Sequence, residues 1–173
     1  MITVDLKQQI RNIPDFPKPG VLFYDITTLL RDPQGFKATT DSLAAPYMNM
    51  GIDLVVGIES RGFILGAAVA ERIGCGLVPI RKPGKLPGKV LKEAYDLEYG
   101  KDALEIHADA IDKGQRVLIV DDVLATGGTA AAATKLVKKL GGELHALAFL
   151  IELTFLDGKA KLPGENVYSV LQY

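Results

Sequence analysis

The stretch Val117-Leu118-Ile119-Val120-Asp121-Asp122-Val123-Leu124-Ala125-Thr126-Gly127-Gly128-Thr129 constrains this chain more than any other. Four consecutive aliphatic residues read as a buried strand, and such strands belong to parallel sheets covered on both faces. Two adjacent carboxylates close the run. A small-residue loop, Ala125–Thr129, then leads into the apolar helix Ala130–Leu140. A strand of this kind delivers Asp121 and Asp122 to the carboxyl edge of the sheet, where α/β proteins place ligands. Small loop residues let several backbone N–H groups converge on one anion, and the new helix points its positive end at the same place. The loop suits a phosphate. The carboxylates repel phosphate, but they accept hydrogen bonds from sugar hydroxyls or hold a hydrated cation. The ligand implied carries free sugar hydroxyls and a phosphate on its far end.

Other phosphate-binding loops do not fit. The GxxxxGK[ST] pattern is absent, and no GxGxxG follows a strand here. An acidic pair after a strand also occurs in response-regulator receivers, but there it lies at the start of the domain and here it lies two-thirds along.

At 173 residues the chain fits one domain, and 48% hydrophobic against 24% charged residues is the balance of a globular chain with a sizeable core. A net charge of −1 argues against a partner that is a nucleic acid held by phosphate neutralisation. Cys75, the single cysteine, can form no internal disulfide and sits in Gly74-Cys75-Gly76, where a buried thiol is expected. No signal peptide or bilayer-length apolar run is visible, so no membrane association is expected and a cytoplasmic location is the default. His107 and His145 stand alone in apolar strands, without the spacing of a zinc site.

The spacing of apolar residues gives the organisation. Asp5–Asn12 reads as a short helix, and Ile13–Gly20, with three prolines, as a stiff irregular loop. Gln34–Met50 has helical spacing with a kink or late break at Pro46. Leu54–Ile58, Leu77–Ile80, Arg116–Val120, Leu144–Ile151 and Val167–Leu171 read as strands. Gly62–Ile73 and Thr129–Leu140 read as helices, the second capped by Gly141-Gly142. Lys82–Lys92 is basic, rich in Gly and Pro and nearly without apolar residues, so a mobile loop is expected there. Tyr95–Tyr99 and Ala103–His107 look like strands joined by a turn at Gly100. Strands alternating with helices mean an α/β fold with a mainly parallel sheet.

The 117–129 stretch resembles the ribose-phosphate motif of the type I phosphoribosyltransferases. The likeness extends to Phe16–Thr27, Gly57-Ile58-Glu59-Ser60-Arg61-Gly62-Phe63, Arg81–Gly88, Leu97-Glu98-Tyr99-Gly100 and the terminal Leu171-Gln172-Tyr173, in the family's order and spacing. The segments around Phe23 and Leu97–Gly100 point to its adenine-specific branch. The resemblance implies the type I phosphoribosyltransferase fold in a single domain: a mainly parallel central sheet flanked by helices, a small N-terminal hood over about 1–33 and a flexible lid over about 82–95. It implies the substrates adenine and 5-phosphoribosyl-1-pyrophosphate (PRPP), the products AMP and pyrophosphate, and a homodimer. It implies Mg²⁺ held by PRPP and water, with no direct protein ligand. Alternatives left open are a 6-oxo purine as acceptor, and a catalytically silent nucleotide sensor of the same fold.

The resemblance also distributes roles. Ala125, Thr126, Gly127, Gly128 and Thr129 would hold the 5′-phosphate, and Asp121 and Asp122 the ribose hydroxyls. Ser60, Arg61, Arg81, Lys82 and Lys85 would meet pyrophosphate, with Lys89 also within reach and a cis non-proline peptide near Ser60 as a mark of function. Leu22, Phe23 and Tyr24 in the hood, with Leu153, would bind adenine, Phe23 by stacking. Many relatives have Arg where Tyr24 stands, so no role for that side chain carries over. Tyr99 belongs to the lid. Glu98 is the candidate acid, near the imidazole edge of the purine, with Asp96 its competitor. Crowding at Gly127 is expected to block the phosphate while leaving the fold intact.

Overall fold

The computed structural model describes residues 4–97 and 99–173. The chain divides into two compact units, Met1–Ser42 and Leu43–Tyr173. In the first, Asp5 caps a short helix α1, Leu6–Gln9, its carboxylate accepting the Lys7 N–H at 3.0 Å. The helix stops well before Asn12. Arg11–Pro14 instead forms strand β1, paired antiparallel with β2, Leu22–Asp25. The Arg11 guanidinium reaches the Asp25 carboxylate, donating from Nε at 3.0 Å. Hydrogen bonds from Thr27 and Arg11 hold that carboxyl at about 2. A partner fourteen residues away thus overrides local helix spacing. The proline-rich stretch is the connection of this hairpin, with a cis Phe16–Pro17 bond. A helix not anticipated from the sequence, α2, Thr27–Arg31, follows. Helix α3, Pro33–Ala44, is shorter than its expected extent and yields to a 3₁₀ turn at Ala45–Tyr47, where Pro46 withholds an amide.

The second unit is built on five parallel strands: β3 Leu54–Ile58, β4 Gly76–Ile80, β7 Arg116–Leu124, β8 Glu143–Glu152 and β9 Val167–Gln172, in the order β4-β3-β7-β8-β9. Helices α4, Arg61–Ile73, and α5, Gly128–Lys139, connect them. Val117–Val120 of the central strand are fully buried. Burying each such aliphatic side chain contributes about 1.5–3 kcal/mol. The strand runs on through both carboxylates to Leu124, because β8 keeps pairing with it as far as Leu124↔Glu152. A separate hairpin joins β5, Val90–Asp96, to β6, Lys101–His107. The first of these lies earlier than the expected Tyr95–Tyr99. Val90–Lys92, read as mobile loop, is therefore paired strand, and Leu91 and Tyr95 pack on the core beside α5. The irregular basic segment is confined to about 82–89. Among the described residues no helix is long and apolar enough to cross a membrane.

Candidate active site

Three glycines bring the ends of β3, α4 and β7 together. A Cβ on Gly62 would stand 2.8 Å from Asp121 Oδ1, and one on Gly57 would stand 2.8 Å from the Gly62 carbonyl. A Cβ on Gly66 would lie 3.3 Å from Gly57 Cα. Only bare backbone lets the first turn of α4 sit this close to the carboxylate edge. Arg61 thereby reaches β7 and pairs through Nε with Asp122 Oδ2. Asp121 and Asp122 are both buried, and the Asp122 N–H donates to Asp121 Oδ1 at 2.8 Å. Burial, then the charge of Asp122, pushes the Asp121 carboxyl well above its ordinary range.

Beyond the carboxylates the chain turns through Ala125–Gly127 into α5. A cavity of about 90 Å³ lies here, lined by Asp121, every residue from Val123 to Ala130, and Phe149. The opening N–H groups of an α-helix have no intrahelical partner, and α5 begins at this wall. Gly127 has φ +83°, and its missing side chain faces Gly158: a Cβ would stand 2.2 Å from the Gly158 carbonyl. Gly158 in turn leaves 2.4 Å between its own would-be Cβ and the Ala125 carbonyl. The expectation that crowding at Gly127 leaves the fold intact is corrected by this contact: a side chain there would strike backbone. Gly158 is a site residue the sequence reading missed, and the Asp157-Gly158 pair, a turn signal, could have drawn attention to it.

The Glu59–Ser60 peptide bond is cis, as anticipated near Ser60. Glu59 is a second residue missed. Its Oε2 accepts the Lys82 N–H at 2.8 Å and Arg81 Nε at 3.3 Å, and its Oε1 accepts Arg81 Nη2 at 3.3 Å. Lys82 points its ammonium at Asp102 and Tyr95, donating to the Tyr95 hydroxyl at 2.9 Å. Burial opposes that charge, but the bonds to Asp102 and Tyr95 outweigh it and raise the Lys82 pKa. Lys82 therefore ties the basic segment to the β5–β6 hairpin, while Lys85 and Lys89 are exposed.

Leu22, Phe23 and Tyr24 lie on β2 of the first unit, where the Phe23 ring meets Phe16 edge-on at 5.1 Å. Leu153, half-buried, follows β8 in the second unit, its N–H donating to the Leu124 carbonyl at 2.9 Å. Tyr99 is exposed and Asp96 ends β5. Glu98 lies outside the described residues. His145 Nδ1 accepts a bond from Arg116 Nη2 at 2.7 Å, and burial, then that guanidinium, lower its pKa. Among the described residues no group of three or more acidic, histidine or cysteine side chains could hold a metal ion. Cys75 is half-buried, and burial raises its thiol pKa, which leaves it a poor nucleophile.

The sequence matches the phosphoribosyl transferase domain family over residues 25–170. An adenine phosphoribosyltransferase of Koribacter versatilis is 61% identical over 168 residues, covering 97% of this chain and 92% of that one. The adenine phosphoribosyltransferase of Desulfitobacterium hafniense is 53% identical over 173 residues, the whole of both chains. The crystal structure of the Thermoanaerobacter pseudethanolicus enzyme superposes with a TM-score of 0.95 at 52% identity, covering 97% of this chain and 98% of that one. The Saccharomyces cerevisiae enzyme, solved with D-2,5-dideoxy-2,5-imino-altritol 1,6-bisphosphate and adenine, gives 0.91 at 44% identity over 96% of each chain. By this match over residues 25–170 and these identities along nearly the whole chain, the chain belongs to the adenine phosphoribosyltransferases, a branch of the phosphoribosyl transferase domain family.

Proposed function

We propose that this chain transfers the 5-phosphoribosyl group from PRPP to adenine, giving AMP and pyrophosphate. The observation that carries the reading is the cavity at the end of β7, walled on one side by Asp121 and on the other by the Ala125–Thr129 turn into α5. It offers hydroxyl acceptors and helix-opening N–H donors within one small volume, which is what a ribose 5-phosphate needs. The Trypanosoma brucei relative, 27% identical with a TM-score of 0.88, was solved with AMP, pyrophosphate and ribose-5-phosphate, which supports the same ligand set here.

In this reading Ala125–Thr129 hold the 5′-phosphate, and Asp121 and Asp122 take the ribose hydroxyls. Ser60, Arg61, Arg81 and the lid lysines, Lys85 foremost, meet pyrophosphate. Arg61 pairs with Asp122, which keeps the guanidinium beside the carboxylates, where PRPP brings hydroxyls for Asp122 and pyrophosphate for Arg61. The C1–oxygen bond breaks first, its electron pair leaving with pyrophosphate, and the ribose becomes oxocarbenium-like. The two carboxylates lie where that positive charge grows, so electrostatic stabilisation is their main contribution. Adenine N9 attacks the opposite face, inverting the anomeric carbon. Adenine reacts with its exchangeable proton on N7, and the Glu98 carboxylate takes that proton as the N9–C1 bond forms, so that Glu98 is the acid of the reverse reaction. Leu22, Phe23 and Tyr24 of the hood, with Leu153, hold the base, and Tyr99 moves with the lid. Mg²⁺ would be carried in by PRPP as a hydrated ion, with water rather than a protein side chain completing its shell; when bound it would neutralise pyrophosphate charge. Exposed Ile64 and Leu77, on α4 and the edge strand β4, support a homodimer, and the reaction suits a cytoplasmic enzyme.

The test is AMP formation from adenine and PRPP with Mg²⁺, beside guanine and hypoxanthine. Hydrogen bonds to the amino-bearing edge of adenine reject a 6-oxo purine, which reverses donor and acceptor, by factors of about 10⁴ in kcat/KM. Comparable use of guanine defeats the base assignment. AMP binding without turnover defeats the enzyme and leaves a sensor.

A further inference from the structure

Glu59 puts a carboxylate among groups that are to receive a polyanion. Alone, that charge would weaken binding. Its partners show what it does instead. Two bonds from Arg81, Nε and Nη2, meet its two oxygens in a fork, and the Lys82 N–H completes the set. The Arg81 guanidinium also lies over the Phe63 ring, 5.8 Å from its centroid, in the first turn of α4. Nη1 reaches the Lys85 carbonyl at 3.5 Å. The backbone on both sides is fixed: the Glu59 N–H donates to the Ile80 carbonyl at 2.9 Å, and the Arg81 N–H to the Glu105 carbonyl at 2.9 Å. An arginine has five N–H donors. These bonds leave two uncommitted, the number with which a guanidinium grips a phosphate.

We propose that Glu59 is a positioning residue that fixes the Arg81 guanidinium and the root of the lid, so that the site meets pyrophosphate with this cation already oriented. The inference rests on the phosphoribosyl-transfer reading. An arginine held in place before binding loses less side-chain entropy when the ligand arrives. The Lys82 N–H and the Arg81 bonds outweigh the opposing effect of burial and hold the Glu59 carboxyl below its ordinary range, so it is ionised at neutral pH.

Glu59→Gln keeps the shape and loses the charge of the fork; Glu59→Ala removes the fork. Each is compared with the parent chain for KM of PRPP, KM of adenine, kcat, calorimetric affinity for pyrophosphate with Mg²⁺, and Tm. In Glu59→Gln the PRPP KM and pyrophosphate Kd rise about tenfold while kcat and the adenine KM stay within about twofold, the split of an interaction made with the bound polyanion. Glu59→Ala goes further in the same direction. Combined with Arg81→Gln, Glu59→Gln adds little further loss, because the residue it orients is gone. A lower PRPP KM in Glu59→Gln would make Glu59 only a repulsive charge. Equal losses for every ligand alongside a fallen Tm, or additive losses with Arg81→Gln, would make it a structural residue, and either overturns the proposal. Because the pyrophosphate titration needs no turnover, a parent chain that forms no AMP defeats the transfer reading and leaves the orientation of Arg81 tested separately.

Discussion

Asp121 is held where a carboxylate is least comfortable, buried and next to Asp122, and its proton is correspondingly hard to remove. A carboxyl with a raised folded-state pKa binds more protons folded than unfolded. Stability therefore falls as pH climbs from the ordinary carboxylate range toward the raised value, and is fully present only below that range. Asp121→Asn keeps the oxygen that accepts the Asp122 N–H and removes the charge. The variant is expected to melt higher than the parent near pH 8, a gain of about 1 kcal/mol being worth about 2–4 °C at this chain length. The gap should close toward pH 4, while kcat/KM falls about 10²-fold with the lost electrostatic stabilisation. Thermal scans at the two pH values check it, and an Asn variant no more stable at pH 8 would mean that the pair carries no strain. Arg61's grip on Asp122 was invisible in sequence, since nothing in a motif says that the arginine opening α4 pairs with a carboxylate on a different strand. For Glu98 the sequence remains the whole case. Glu98→Leu is expected to lower kcat by about 10²–10⁴ and Glu98→Gln by that much or less; parental turnover in the Leu variant would move the role to Asp96.

Among elements, those with an uninterrupted aliphatic run were legible almost to the residue. Leu54–Ile58 and the start of β7 are the clearest, because burial on both faces leaves no competing pattern. The β1–β2 hairpin was not legible, since its register depends on Arg11 meeting Asp25 and prolines hide the strand ends. The start of β5 was masked by the Gly, Pro and Lys residues before it, although Leu91 and Tyr95 share one face. The loop before α5 was identified by its small residues, but the close approach of Gly127 to Gly158 left no local signal, because the partner comes from a distant segment. Two outcomes separate wall from ligand contact. Gly158→Ala, with its Cβ aimed at the Ala125 carbonyl, should cost about 1–3 kcal/mol of stability and lose AMP affinity with it. Thr129→Ala should keep the parent Tm and lose about tenfold or more in AMP affinity, as expected for one hydrogen bond to a charged group. Paired thermal scans and AMP titrations decide, and full AMP affinity in Thr129→Ala would remove that hydroxyl from the cradle. Gly127→Val, on the same reasoning, should fall with Gly158→Ala and lose stability as well as binding.

At the scale of the molecule, alternating strands and helices made the parallel sheet readable, whereas an interface between two chains leaves no period in one sequence. The trace it leaves is exposure. Strand β4 is an edge of the five-stranded sheet, and Pro79 withholds an amide there, which discourages open-ended strand addition. Beside it, Leu77 is 40% exposed and Ile64, on α4, 47%. Gly66 brings the two elements close: its would-be Cβ lies 3.4 Å from Leu77 Cδ1. Each of these exposed apolar side chains could pack against a second copy of this chain, and the Pro79 edge is blunted against further strands, so the proposed homodimer would form by side-chain packing. The double variant Ile64→Glu/Leu77→Glu puts two charges where the apolar contact would form and touches no fully buried position. It is expected to sediment as a monomer where the parent sediments as a dimer. Its Tm should fall only by the mass-action contribution of dimerisation, and so should become independent of protein concentration. A parent chain that is monomeric at micromolar concentration, or a variant that still dimerises, would place the interface elsewhere and leave Leu77 and Ile64 as ordinary surface residues.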